Sequence, residues 1–404
     1  MVELPVDEEL AIKDRALAAA AEGITISDAR LPDNPLVYIN AGFERLTGYS
    51  ARSMLGKNCR FLQGSHTDPG ARNEIRRALE EGRECTVEIL NYRKDGTPFW
   101  NRLSITPVRD NSGQVTHHIG VQSDITARKA AEEKLIWANE KLEEANQRMK
   151  RDLEMAARIQ QSLLPPAEFT VPGVSLSWIV KPCDELAGDT LNVFKLDRDH
   201  LGLYIIDVSG HGVSSSLLSF TLTRWMSPVP DHSSLFRVKA GSPKRYQLSP
   251  PAQVADQLNQ QFQMDLETGQ YFTFFYGILS LKTGLFRYVN AGHPDPVYAP
   301  AGSEPTMLPS SGYPIGLLRE AKYEEHSVTM RRRDRLVLYT DGLIEAFNPQ
   351  EEEYGLKRLV ENVCSTRSLS LEDSLETLAK SAADWCGPSR QRDDISVLAF
   401  DYQP

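Results

Sequence analysis

Apolar positions recur along this chain with different spacings, and each spacing marks a different kind of element. Between Gly23 and about Thr126 they fall in short runs separated by turn residues. The clearest stretch is TVEILNYRKDGTPFWNRLSITPV, where two alternating runs flank RKDG, the pattern of a β-hairpin. Alternation puts Val87, Ile89 and Asn91 on one face of the first strand, and Phe99, Asn101, Leu103 and Ile105 on one face of the second. Each face is apolar except for an asparagine. A buried carboxamide needs hydrogen-bond partners. On the hairpin alone, the two amides read equally well as paired with backbone or as holding a polar ligand.

Helical spacing appears in two places before the middle of the chain. Residues 8–22, rich in Ala, Leu and Glu, predict a short N-terminal helix within 1–22. Residues 127–164 contain neither Gly nor Pro and predict one long helix. Leu135, Leu142 and Met149 repeat every seven residues, with Ala138 and Ala145 offset by three. The stripe then continues at Leu153, Ala156, Gln160 and Leu163, a four-residue step that is a stutter in the heptad. A narrow apolar seam with charged flanks predicts a dimeric coiled coil, the alternative being packing on the chain's own domains. LLPP ends the helix, because proline cannot continue it.

From about Pro165 the runs read as strands: VSLSWIVKP, HLGLYIIDVSG, YFTFFYGILSL, LFRYVNAGH, DRLVLYTDG and DDISVLAF. Helical stretches separate several of them, at 212–226 and 251–268, and the Pro- and Ser-rich residues 227–250 read as a surface insertion. The expected fold class is therefore multidomain α+β, divided as 1–22, 23–126, 127–164 and 165–404.

Composition narrows the picture. A chain of 404 residues is too long for one typical domain, and 41% hydrophobic with 25% charged residues allows large cores. The net charge of -10 argues against nucleic acid as a partner. Arg331, Arg332 and Arg333 form a short basic cluster that reads as a solvated turn. The five cysteines, Cys59, Cys85, Cys183, Cys364 and Cys386, are odd in number and lack CxxC spacing. Neither a disulfide framework nor a structural zinc site is expected, and a reducing compartment is. The acidic N-terminus has no apolar signal-like core, and no run approaches the roughly 18 apolar residues of a membrane span. A cytoplasmic protein with no membrane partner is expected.

Cys59 stands in GKNCRFLQG, an unusually polar setting for a structural cysteine. NCRFLQ, with DARLPDNPLVYINAGFERLTGYS upstream and IGVQSDIT downstream, resembles the LOV domains, flavin-binding blue-light sensors of the PAS superfamily, over roughly a hundred residues. The resemblance implies FMN as cofactor, with Cys59, flanked by Asn58, forming a covalent adduct at flavin C4a in the light. It implies that Arg60 and Arg76 hold the flavin phosphate, and that Gln63, Asn91, Asn101 and Gln122 bond the polar edge of the ring. With that, the ligand reading of the two asparagines is preferred. Gln122 carries both a donor and an acceptor and can flip when flavin N5 is protonated. It also lies only a few residues before the long helix. Cys85 reads as packing.

The C-terminal half places aspartates at strand edges: Asp189 in AGDTLNVF, Asp207 in YIIDVSGHG, Asp341 in LYTDGLIEA, and Asp393 and Asp394 in RQRDDISVL. One would be a turn residue; four separated sites suggest convergence on hard cations. With NAGHPDP and AARIQQSLLPP, these segments resemble the PPM metal-dependent serine/threonine phosphatases, and among them the SpoIIE-type branch, over roughly 170–402. The resemblance implies an α-β-β-α sandwich and two Mn²⁺ or Mg²⁺ ions that activate a water for in-line attack on phosphorus. Asp207 would bridge the ions, with the Val208 carbonyl on the second. Asp341 and Asp393 would complete one ion, and Asp189 would serve the other; Asp393 and Asp394 are not distinguished. His211 and His293 read as loop-structuring residues. The family pattern GGDxxD is here AGDTLN, so Ala187 and Asn192 depart from it, and Asn192 predicts a weaker metal nearby.

Taken together, these readings predict a blue-light-regulated phosphoserine/phosphothreonine protein phosphatase. It would signal through a parallel homodimeric helix at 127–164 and act on a phosphorylated STAS-domain anti-sigma-factor antagonist. The alternative is a light-gated module that sequesters such a partner with little turnover.

Overall fold

The alternating runs of the first quarter build one antiparallel sheet. In the computed structural model its strands stand in the order Leu36–Ile39, Gly23–Asp28, Val115–Asp124, Pro98–Arg109 and Cys85–Tyr92. The structure describes residues 6–404 except 167, 228–234, 240–245, 265–268, 310 and 389–390. Two compact units result, Met1–Asn146 and Gln147–Pro404.

In the first unit the RKDG hairpin pairs Cys85 with Ile105, Ile89 with Asn101 and Asn91 with Phe99, so both asparagines lie on one buried face. Helix Pro69–Glu81 starts where Asp68 accepts the Ala71 N–H and Pro69 opens the first turn. It stops at Gly82, whose φ of 63° a side chain would disfavour. Cys85 packs with Ala78 and Ile105, as a small hydrophobe.

Helix Thr126–Gln161 is one continuous element of 36 residues, about 54 Å long. Its positions 130–152 are exposed on every side, including Leu135, Leu142 and Met149. Beyond the stutter Leu153, Ala156 and Gln160 become half-buried, and Leu164 packs on the second unit's core.

The second unit is a sandwich of two five-stranded antiparallel sheets. One runs Glu325–Thr329, Leu285–Ala291, Phe272–Ser280, His200–Val208, Thr190–Lys195; the other runs Thr306–Met307, Val297–Ala299, Arg335–Tyr339, Ile395–Tyr402, Val174–Lys181. Leu201, Leu203, Ile205, Phe275, Leu338 and Leu398 fill the space between the sheets. On the outer face of the first sheet, Tyr204, Ile206 and Tyr276 pack with Leu222 and Leu258 of helices Val213–Trp225 and Pro251–Gln261. On the outer face of the second, Val337 and Val397 pack with Leu359 and Leu378 of helices Gly355–Ser365 and Leu371–Cys386. The four layers are thus α-β-β-α. Burying each such side chain contributes about 1.5–3 kcal/mol.

Two expectations are corrected. Residues 227–250 are not merely a surface insertion: Leu235 and Phe236 are buried in the first sheet's outer core, and Arg237–Lys239 pairs with Tyr246–Leu248. Residues 228–234 and 240–245 lie outside the described part. The helix expected over 251–268 ends at Gln261, and 265–268 are likewise outside it. Arg331, Arg332 and Arg333 are exposed at a turn. Among the described residues no helix is long and apolar enough to cross a membrane.

Candidate functional site

The first unit encloses a cavity of about 930 Å³. Asn58, Cys59, Arg60, Gln63, Arg76, Asn91, Asn101 and Gln122 all line it. Asn58 shapes the wall that carries the cysteine. Its Oδ1 accepts the Arg60 N–H (3.0 Å) and its Nδ2 donates to the Asp33 carbonyl (2.5 Å), capping the 3-10 turn Cys59–Leu62. Burial pushes the Cys59 thiol up to about 12, so it is a neutral thiol in the cavity wall. Arg60 pairs with Asp33 at 2.7 Å on the exposed side of the same turn.

The sheet face supplies amides with spare capacity. Asn101 Nδ2 donates to Asn91 Oδ1 (2.9 Å), and Gln122 Nε2 donates to Thr25 Oγ1 (3.1 Å). Among the described residues Asn101 Oδ1 and Gln122 Oε1 are buried without a partner. A Cβ at Gly120 would stand 2.7 Å from Thr25 Oγ1 and 3.0 Å from Gln122 Nε2, so glycine keeps the floor open between them. Arg72 and Arg76, on one face of helix Pro69–Glu81, border the cavity. Unspent amides with arginines on the bordering helix fit a planar heterocycle that has a polar edge and an anionic tail, which is the chemistry of FMN.

His118, Arg72 and Thr25 were not picked out by motif. His118 shares the alternating face of Gly120 and Gln122; it is buried, both its ring nitrogens lack a partner among the described residues, and burial lowers its pKa.

In the second unit the aspartates converge. Asp189 precedes strand Thr190–Lys195, and Asp207 and Val208 end strand His200–Val208, whose Ile206 pairs with Thr190. Asp341 opens the short helix after Arg335–Tyr339, and Asp393 and Asp394 precede Ile395–Tyr402, whose Val397 pairs with Tyr339. The close approach is visible at Gly342, where a Cβ would lie 2.1 Å from the Asp394 carbonyl oxygen. Burial, then the charges of Asp341 and Asp393, push Asp207 up to about 8. Burial, then Asp207 and Asp394, hold Asp189 well above the carboxylate range. Asp393 is raised mainly by burial.

The neighbouring cation is not spent here, since Arg392 turns to Glu351 (2.6 Å). Oxygen donors that repel one another in a sheltered place fit divalent cations, which would offset that repulsion.

The adjacent aspartates differ in what occupies them. Asp394 is buried, its Oδ1 accepting the Cys183 N–H (2.7 Å) and its Oδ2 the Gly188 N–H (2.5 Å). Asp393 is half-buried and raises Asp207 more strongly than Asp394 does. Thr340, fully buried and absent from the sequence reading, donates from Oγ1 to Asp189 Oδ2 at 2.8 Å. Asn192 lies within its strand opposite Tyr204, its Oδ1 on the Val193 N–H (2.8 Å).

His211, exposed between Gly210 and Gly212, bonds Asp184 through Nδ1 (3.0 Å), and the Cys183, Asp184 and His211 donor atoms lie within 4.8 Å of one another. His293 is buried, with its Nδ1 2.8 Å from Thr273 Oγ1 and its backbone held by Asn290. Burial lowers it to about 3.

Residues 197–403, just over half of the chain, match the family described as Stage II sporulation protein E (SpoIIE). The chain belongs to the SpoIIE family. Its SpoIIE-type unit shares its fold with the SiaA-PP2C domain of Pseudomonas aeruginosa: TM-score 0.54 at 20% identity, covering 64% of this chain and 99% of that one. Residues 21–127 match a PAS domain. Over 152 residues the chain is 39% identical to a blue-light-activated histidine kinase of Brucella anthropi, covering 38% of this chain and 31% of the relative. Over 121 residues it is 47% identical to phototropin-2 of Oryza sativa subsp. japonica, covering 30% and 13%. The chain therefore spans a third or less of the length of these two relatives. This SpoIIE-family protein joins a PAS unit, similar in sequence to a blue-light-activated histidine kinase, to a unit of PP2C fold.

Proposed function

We propose that the protein is a blue-light-regulated, metal-dependent phosphoserine/phosphothreonine protein phosphatase. The observation that carries the reading is the convergence of Asp189, Asp207, Asp341 and Asp393 at one end of the sandwich, with Asp207 pushed up to about 8 by burial and by its acidic neighbours. When bound, two Mn²⁺ or Mg²⁺ ions supply Lewis acidity at the phosphoryl group and a water of lowered pKa. Asp207 would hold both ions and the Val208 carbonyl the second, Asp341 and Asp393 would complete one of them, and Asp189 would serve the other. Asp394 serves as a brace, since its oxygens already accept the Cys183 and Gly188 N–H groups.

When bound in the first unit, FMN supplies blue-light absorption and a carbon that a thiol can attack. Cys59 would present its neutral thiol to that carbon. Asn91, Asn101, Gln63 and Gln122 would bond the ring's polar edge, and Arg60 and Arg76 its phosphate, with Asn58 fixing the cysteine turn. The unpartnered Gln122 Oε1 supports a role in sensing the ring's protonation. The similarity to a blue-light-activated histidine kinase of Brucella anthropi supports the same assignment.

The exposed seam Leu135, Leu142 and Met149 supports a parallel homodimer through the long helix. The substrate we infer is a phosphorylated STAS-domain anti-sigma-factor antagonist, in keeping with the SpoIIE family. The test is Mn²⁺-dependent phosphate release from a phosphoserine STAS-domain protein, in the dark and under blue light, beside Cys59→Ala. A rate that changes with light in the wild type and not in the variant is expected. Absence of turnover in both states, with the substrate still bound, would replace the enzyme with a sequestering module.

A further inference from the structure

At its C-terminal end the long helix meets the segment that leads into Asp189. Gln160 Nε2 donates to the Ala187 carbonyl (2.6 Å), and Gln160 Oε1 accepts the Ala187 N–H (3.0 Å). One side chain thus satisfies both backbone groups of a residue that belongs to no strand and is 2% exposed. The next N–H, that of Gly188, goes to Asp394 (2.5 Å), and the Asp189 carboxylate takes the Thr340 hydroxyl (2.8 Å). Gln160, Asp394, Thr340 and Ser219, whose Oγ donates to the Asp189 carbonyl (3.5 Å), therefore all hold Ala187–Gly188–Asp189. Asp394 and Thr340 belong to the sandwich; Gln160 belongs to the helix.

The residue type argues that this contact is more than helix packing. Gln160 occupies a stripe position otherwise filled by Leu153, Ala156 and Leu163, where an apolar side chain would pack without needing partners. A carboxamide carries its donor and its acceptor on two separate atoms, so without any charge it can donate to and accept from one peptide residue at once.

We propose that Gln160 is a positioning residue whose amide sets where Asp189 stands, so that displacement of the helix end changes the cluster's affinity for divalent cations. The inference rests on the reading of the aspartates as a cation site. A shift of about 1 Å at the carboxamide is enough to carry both contacts out of hydrogen-bonding range.

The test uses the full chain with Gln160→Met, which keeps the length and loses both bonds, and Gln160→Glu, which keeps only the acceptor. Mn²⁺ binding is measured by calorimetry in the dark and under blue light, with the flavin absorption change and a melting curve as controls. In Gln160→Met, Mn²⁺ binding should weaken about ten- to a hundredfold, the usual span for a supporting residue. The light-to-dark ratio of affinities should fall to about one while the flavin still bleaches, and Gln160→Glu should lie between. A folded Gln160→Met with wild-type affinity and ratio overturns the proposal, and Gln160→Glu decides in the same way if Gln160→Met does not fold. Wild-type Mn²⁺ binding that is indifferent to light also overturns the coupling, leaving the cation site standing. A wild type that binds no Mn²⁺ at all sinks the cation reading, and this inference with it.

Discussion

Asp207 sits where a carboxylate is least welcome, sheltered from water and facing Asp341 and Asp393. Its value of about 8 against an ordinary 3.8 means that the folded, metal-free protein holds a proton which the unfolded chain releases. Its contribution to stability is therefore greatest below the unfolded value and declines as pH rises toward the folded one. Thermal melts in a chelator should show a falling midpoint between about pH 5 and pH 8, flattened in Asp207→Asn. Added Mn²⁺ should reverse the trend in the wild type, because cation and proton compete for the same oxygens. Asp207→Asn should also melt higher than the wild type without metal, by about 2–4 °C per kcal/mol of repulsion relieved, and fail to bind Mn²⁺. A pH-independent wild-type midpoint would contradict this account. Residue types at strand ends made the aspartates legible. Thr340 was not, because its partner Asp189 is 151 positions away and nothing local marks it. Asp393 and Asp394 could not be ranked either, since the difference lies in which backbone groups reach them.

At the scale of elements, the alternating hairpin and the continuous apolar strand His200–Val208 were both readable, for opposite reasons. The hairpin strands bury one face, whereas His200–Val208 packs Leu203 and Ile205 inward and Tyr204 and Ile206 outward under helices. Leu235 and Phe236 escaped notice because two apolar residues amid Pro and Ser give no period to read. The stutter after Met149 has a visible counterpart: residues before it are exposed, and the stripe after it turns partly buried. The helix thus changes what its seam faces at that step. If the exposed half is a dimer seam, Leu142→Glu places a charge in it at a cost of about 3–5 kcal/mol. The dissociation constant should then rise about a hundredfold or more, read by sedimentation equilibrium. Melting of the second unit should be unchanged, because Leu142 is 60% exposed within its own chain. An unaltered mass would remove the seam from consideration.

For the whole molecule, the division into a PAS-type sheet, a helix and a sandwich was legible because each has its own hydrophobic period. How a signal would cross between them was not, since neither motif tells that the Gln160 amide reaches Ala187, 27 positions away. The bare stretch 130–152 adds a consequence that bears on engineering and on natural variation in length. A segment exposed along its whole length is constrained in phase and not in extent, like the threaded part of a screw. Removing seven residues there turns everything downstream by only about 20° from whole turns. Removing five turns it by about 140°, given 3.6 residues per turn. Heptad deletions between Glu132 and Met149 should therefore keep light control of phosphate release, and five-residue deletions should abolish or invert it. Sensors and effectors joined this way can be exchanged or spaced apart, provided the cut respects the thread.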